Sequence, residues 1–292
     1  MGDVLDAFRE GWRRLGANPV VWLAPLGLML VGFFAAVLGA GLVLIPVIGV
    51  LVFFAGMLAY VGAGAAGMMG LLGAAVTRQA TGQDFWQGVR RFFWRAVGLL
   101  LLTGLVNFVL AALFGSVVPS RALYPDGPPW AEDAFRALAS PVTLALQFIA
   151  YFAVKVLFAF APPAVAVDDC RTVNGIERGL GLVMRKPGPA LGLLAVVVVL
   201  SSVVPMIVVL LFMGRLFVGG VTEQELAAFA SSSLVPMMLL LGLYAYVALL
   251  LAWAAIFVFY DRNRSLLGAP SAGTQPEMPA APEPPGGQVV GL

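Results

Sequence analysis

A chain of 292 residues that is 61% hydrophobic and only 11% charged has too little polar surface to coat a soluble globule, in which roughly a quarter of residues are charged. Its net charge of +2 does not point to nucleic acid, because the basic residues stand in short clusters between apolar runs. With no histidine and a single cysteine, Cys170, the chain lacks the commonest general base and metal ligand and can form neither an intrachain disulfide nor a thiolate metal site.

The first stretch alternates Val4, Leu5, Phe8, Trp12 and Leu15 with Asp6, Arg9, Glu10, Arg13 and Arg14, the pattern of a helix lying in a membrane interface. It lacks the basic segment and small-residue cleavage site of a secretory signal, so it is expected to be retained. Asn18-Pro19 should end it, since a residue before proline is pushed out of the helical region. From Val20 to Val76 no residue is charged. One span needs about twenty residues, so this run predicts two, at 20–39 and 47–76, with Gly39, Gly41 and Pro46 at the turn.

The second span carries small residues at Gly62, Ala66, Gly70 and Ala74, a ridge on which another helix backbone can approach closely. The alternative is a span rich in small residues with no specific partner. Thr81 and Asp84 have the spacing of a capping box and open a second amphipathic stretch, with Phe85, Val89, Phe92 and Phe93 opposite Arg90, Arg91 and Arg95. A third span at 96–118 holds Asn107 near its middle. After a loop rich in proline and charge, a fourth span at 141–167 contains Lys155.

Asp168 to Lys186 forms a third amphipathic stretch. Asp168-Asp169 is more readily an N-cap pair favoured by the helix dipole than a metal site. A fifth span at 188–213, interrupted by Pro205, and a sixth at 234–260 complete the membrane domain, 1–264. Residues 265–292, rich in proline, alanine and glycine, should be a disordered tail. The fold class expected is therefore an all-α integral membrane protein with six transmembrane helices as three hairpins, each preceded by an amphipathic elbow helix. Shifting the first stretch by 168 positions places Gly11 on Gly179, Leu15 on Val183 and Pro19 on Pro187. The second stretch aligns more weakly, with Phe8 on Val89 and Trp12 on Phe93.

Arg9, Arg13, Arg14, Arg78, Arg90, Arg91, Arg95, Arg171, Arg178, Arg185, Lys186, Arg262 and Arg264 all fall on one side of the six-span arrangement, whereas only Arg121, Arg136 and Arg215 fall on the other. The positive-inside rule then puts both termini and the elbows in the cytoplasm of a cell with an inner membrane. There the pairs Arg13-Arg14, Arg90-Arg91 and Arg185-Lys186, with Asp168 and Asp169, would face lipid headgroups, including anionic ones, although topology alone also accounts for them.

Lys155 is the only charged residue deep in a span, too far from either end to reach water unaided. Asn107 lies at similar depth. Two roles stay open for Lys155: structural pairing with a polar neighbour such as Asn107, or contact with an anionic substrate or headgroup. No carboxylate lies within any span, which weighs against a simple proton relay. No catalytic, cofactor or metal motif is present. A non-enzymatic support role beside a membrane-protein partner or a second copy of the chain is thus the first expectation, and a carrier or lipid-translocating protein with a cavity around Lys155 the second. A cavity of several hundred Å3 at Lys155 and Asn107 would favour the carrier; a closed bundle would favour support.

The run of Pro162-Pro163, Val167-Asp168, the apolar face Ile176, Leu180 and Val183, and the basic end Arg185-Lys186 resembles the membrane domain of glycerophosphoryl diester phosphodiesterases and their stand-alone bacterial relatives. The resemblance implies a six-span membrane module that works beside a separate enzyme. The phosphodiesterase catalytic domain itself has no counterpart in this sequence.

Overall fold

At Asn18 the chain turns through 79° between α1 (Gly2–Ala17) and α2 (Pro19–Leu42). Pro19 has no N–H to continue α1, and Asn18 fills the joint by donating its carboxamide N–H to the Arg14 carbonyl at 2.7 Å. The computed structural model describes residues 2–42, 48–115, 141–208 and 235–268, and every element in it is helical. After α2 come α3 (Ile48–Thr77), α4 (Gly82–Gly115), α5 (Pro141–Phe158), α6 (Ala161–Val167), α7 (Thr172–Arg185), α8 (Pro187–Val198) and α9 (Val235–Asn263). A π turn, Val199–Val203, follows α8, and a 3-10 turn, Arg264–Leu267, follows α9.

Five helical stretches among the described residues are long and apolar enough to cross a membrane, or six if the bent α1–α2 pair counts as one. The charge-free run breaks into α2 and α3 as expected, but α2 continues through Gly39 and Gly41 to Leu42. The second amphipathic stretch and the third span are one unbroken helix, α4, because nothing near Arg95 withholds a backbone donor. The Thr81 N–H donates to the Asp84 carboxylate at 2.7 Å, one half of the capping box. The fourth span breaks instead, between α5 and α6. Pro162 and Pro163 cannot donate to the carbonyls four residues back, and the chain resumes as a new helix with both prolines in its first turn. Pro205 acts similarly on the fifth span, since the wider π turn lies directly before it and relieves the clash with the preceding turn. The tail expected at 265–292 begins within the ordered 3-10 turn, while residues 116–140, 209–234 and 269–292, which include the last residues of the expected third and fifth spans, the first of the sixth and the rest of that tail, lie outside the described residues.

At one end of the bundle α3, α6 and α9 pack against one another, and each holds one amphipathic segment on its outer side. The first half of α4 lies on α3, α7 on α6, and α1 on α9. The seats are made by small residues. A β-carbon on Gly88 would stand 2.8 Å from the Gly70 α-carbon, one on Gly179 would stand 2.9 Å from the Phe160 carbonyl carbon, and one on Gly11 would stand 3.0 Å from the Ala255 nitrogen. The buried stripe falls at Ala7, Gly11 and Leu15 in α1, at Gly88, Phe92 and Ala96 in α4, and at Gly175, Gly179 and Val183 in α7. These are the positions that the offsets of the sequence alignment superimpose.

The three segments also touch head to tail. Asn18, after α1, accepts from the Ala80 N–H just before α4 at 2.6 Å. Arg95, where the polar part of α4 ends, donates to Asp169 at 2.6 Å, and the Thr172 hydroxyl at the start of α7 donates to the Arg95 carbonyl at 3.3 Å. Lys186, at the end of α7, lies 3.6 Å from Asp3 at the start of α1. The ring is closed.

Candidate functional site

Residues of α3, α4, α5, α6, α8, the π turn and α9 line a partly open cavity of 540 Å3. Its apolar wall includes Met69, Leu99, Leu194, Trp253 and Ile256. The polar side is made by Thr103 and Asn107 on α4, Tyr151 and Lys155 on α5, and Ser201 and Ser202 in the π turn. Lys155 and Asn107 are both exposed to this space.

The structure brings those two residues to one cavity without joining them. Asn107 turns its carboxamide N–H back onto the Thr103 carbonyl of its own helix, at 2.9 Å. The Lys155 ammonium lies over the Tyr151 ring, 5.2 Å from its centroid, and among the described residues it meets neither a carboxylate nor a hydrogen-bond acceptor. An ammonium has three donors and no acceptor, so its donors are left without protein partners among the described residues. Tyr151 and Lys155 are one helical turn apart, a spacing that would have signalled the pair from sequence. The serines had only a weak signal, two hydroxyls in an apolar run shortly before Pro205. Their contacts are loose: Ser202 lies 3.5 Å from the Tyr151 hydroxyl and 3.5 Å from Ser201. Tyr244 donates to the Leu200 carbonyl at 2.9 Å, filling an acceptor beside the π turn.

The ridge on α3 forms the seam with α4. A β-carbon on Gly62 would come 2.6 Å from a Val97 methyl, Ala66 is fully buried, and Gly70 faces Gly88. Ala74 packs against the same core.

Asp168 and Asp169 do not cap α7, whose N-cap is Arg171 without a side-chain bond. Tertiary partners hold them instead. Asp168 is buried, with Arg178 at 2.7 Å, the Tyr260 hydroxyl donating at 2.5 Å and Arg264 at 3.7 Å. Asp169 takes a left-handed backbone, φ 52°, which aspartate tolerates, and bonds Arg91 and Arg95 at 2.6 Å each. Burial alone would raise its carboxyl pKa; hydrogen bonds from Arg91 and Arg95 outweigh that and hold it below its ordinary value. Cys170 moves the other way: burial, then the negative charge of Asp168, pushes its thiol up to about 11.

Of the basic pairs, Arg13 and Arg14 share Glu10, both at 2.7 Å, Arg91 goes to Asp169 and Lys186 to Asp3. Arg90 and Arg185 have no ion-pair partner among the described residues. The residues that sequence reasoning missed here are Asn18 and Tyr260, polar groups whose partners are distant in the chain.

A family model described as a domain of unknown function, DUF7847, matches residues 3–262. The chain belongs to this family. In this DUF7847 chain the match spans both the ring of amphipathic segments and the cavity. No curated protein and no solved structure matches it.

Proposed function

We propose that this DUF7847 chain is a non-enzymatic inner-membrane protein that binds an anionic amphiphile in the Lys155 cavity and carries it, either across the membrane or to a partner. The observation behind this reading is an ammonium with no acceptor among the described residues, lining a chamber of 540 Å3. A charged side chain at the centre of a membrane helix costs about 2.5–3.5 kcal/mol on insertion scales, and such residues are usually kept for a ligand or a pathway. The support role first expected for the chain fits a closed bundle better than this one. In the proposed arrangement the six spans form three hairpins, α1, the start of α4 and α7 are elbow helices in the cytoplasmic interface, and both termini are cytoplasmic. The clustered arginines support that orientation.

Lys155→Met tests the reading. The variant, melted in detergent, should be at least as stable as the native protein because it loses an unpaired charge, while the anionic lipid recovered by extraction should fall. Unchanged lipid content in a stable Lys155→Met protein would sink the carrier reading and restore the support role.

A further inference from the structure

We infer that the Lys155 cavity selects a singly charged anionic head bearing hydroxyl groups, a phosphodiester of the glycerol type, over a zwitterionic head bearing an amine. The inference rests on the carrier reading above and adds the class of cargo. Charge is the first argument. The described lining residues include one cation, Lys155, and no carboxylate. A zwitterionic head would place its phosphate on Lys155 and leave its own ammonium beside that lysine with no acid to meet it, and like charges at short range in a membrane interior repel strongly.

The aromatic ring on the polar side is already taken, although Phe158 and Trp253 also line the cavity. Alkylammonium heads are commonly held over the face of an aromatic ring, and Tyr151 supplies the one tyrosine ring on the polar side of the cavity. Lys155 already occupies that position at 5.2 Å. An amine or choline head seated on that ring would have to displace it.

Hydroxyl recognition is the third argument. Ser201 and Ser202 stand in the π turn with only 3.5 Å contacts to each other and to Tyr151, so exchanging them for ligand hydroxyls loses little. Asn107 spends one N–H on Thr103 and keeps its carbonyl oxygen and second N–H. This supply of neutral donors and acceptors beside one cation suits a phosphodiester with a polyol head. The apolar wall accommodates the chains.

The full chain is reconstituted with an equimolar mixture of phosphatidylglycerol, phosphatidylethanolamine and phosphatidylcholine, purified, and its retained lipids are counted by mass spectrometry. Phosphatidylglycerol should exceed each zwitterion by about tenfold, a difference of one decade in affinity. Lys155→Glu should reverse the order in favour of phosphatidylethanolamine, an outcome that misfolding does not produce. The double variant Ser201→Ala, Ser202→Ala keeps the charge and tests the hydroxyls: with phosphatidic acid added to the mixture, it should lower phosphatidylglycerol retention but not that of phosphatidic acid, whose head has no polyol. Competition by soluble glycerophosphoglycerol at millimolar concentration would support the same head chemistry with a free anion as its source, and retention that resists it would assign the site to lipid. Retention of phosphatidylglycerol and phosphatidic acid above phosphatidylcholine, but with phosphatidylethanolamine equal to phosphatidylglycerol, would overturn the selectivity against amine heads and leave lipid binding at Lys155 standing; equal retention of all lipids would overturn the preference for anions as well. Retention independent of Lys155 would overturn both the selectivity and the carrier reading.

Discussion

Gly11 of the first helix lies against the Ala255 backbone of the last, so close that a β-carbon on Gly11 would stand 3.0 Å from the Ala255 nitrogen. The contact is backbone to backbone, with no flexible side chain to give way. Gly11→Leu should therefore lift α1 off α9 and cost about 1–3 kcal/mol or more, the range for overpacking a filled seat. Gly16 is in the same helix, and a β-carbon there meets nothing within 4 Å. Gly16→Ala should stabilise by roughly 0.5–1 kcal/mol through helix propensity. Opposite shifts in detergent melting temperature for these two variants would verify the seat; equal shifts would refute it.

At Asp169 the expected effect depends on pH. Its folded pKa is depressed below the ordinary 3.8, so its contribution is fully present above that value and is lost as pH falls through the folded pKa. The carboxylate is 37% exposed, which limits each arginine pair to about 0.2–1 kcal/mol. Asp169→Asn tolerates the left-handed backbone and removes only the charge. Wild type should melt above this variant at pH 7, with the gap closing in acid. A gap that widened on acidification would contradict the assignment.

Tyr260 is fully buried and donates to Asp168, which also pairs with Arg178. Tyr260→Phe removes one hydrogen bond to a charged acceptor, worth about 1.5–3 kcal/mol. Arg178→Met leaves the carboxylate with the Tyr260 hydroxyl and the more distant Arg264 at 3.7 Å, and should cost about 3–5 kcal/mol. In an Asp168→Asn background the Tyr260→Phe penalty should shrink; melting the four proteins of that cycle measures the coupling directly.

With its pKa moved from 9.0 to about 11, Cys170 holds about a hundredfold less thiolate near neutral pH than an ordinary cysteine. Its thiol also donates to the Ala164 carbonyl at 3.2 Å. Alkylation in the folded protein should be slow at pH 7.5 and become ordinary on unfolding, which a timed maleimide reaction would follow. Prompt labelling of the folded chain would contradict this burial.

Orientation can be read with cysteines placed in a Cys170→Ala background. Gly2 and Gly82 accept a side chain without contact, since nothing lies within 4 Å of a β-carbon at either position. Both cysteines should be shielded from an impermeant thiol reagent in intact cells, whereas one at position 127 should react. External labelling at Gly82 would invert the topology.

Much of the architecture was legible because membrane helices announce themselves by what they lack. The charge-free run from Val20 to Val76 marks two apolar helices, α2 and α3, before any partner is known, and Asn18-Pro19 marks the bend between α1 and α2. The periodicity of Val4, Leu5, Phe8, Trp12 and Leu15 showed that the first helix is amphipathic but put its packed face off by part of a turn: Val4, Ala7, Gly11 and Leu15 are buried, whereas Leu5 and Trp12 are exposed. The seat of that face on Ala254 and Ala255 was not visible, because alanines in an apolar helix carry no local mark. The same limit applies to Asp168 and Asp169: local pattern suggests a cap, and tertiary arginines override it. Lys155 was conspicuous as the lone deep charge. The chamber in front of it depends on a broken α5–α6 span and a π turn, departures from regular helix whose prolines were visible but whose geometry was not.

The seat of α1 on α9 also bears on biogenesis. Helices enter a membrane in the order in which the ribosome delivers them, yet the docking surface for the first helix is synthesised almost last. Throughout insertion of the intervening spans, α1 must wait with Val4, Ala7 and Leu15 uncovered. A nascent chain arrested before α9 would hold the other two seats, α4 on α3 and α7 on α6, and leave this helix accessible, so protease sensitivity near Gly11 would report whether synthesis has reached the final span.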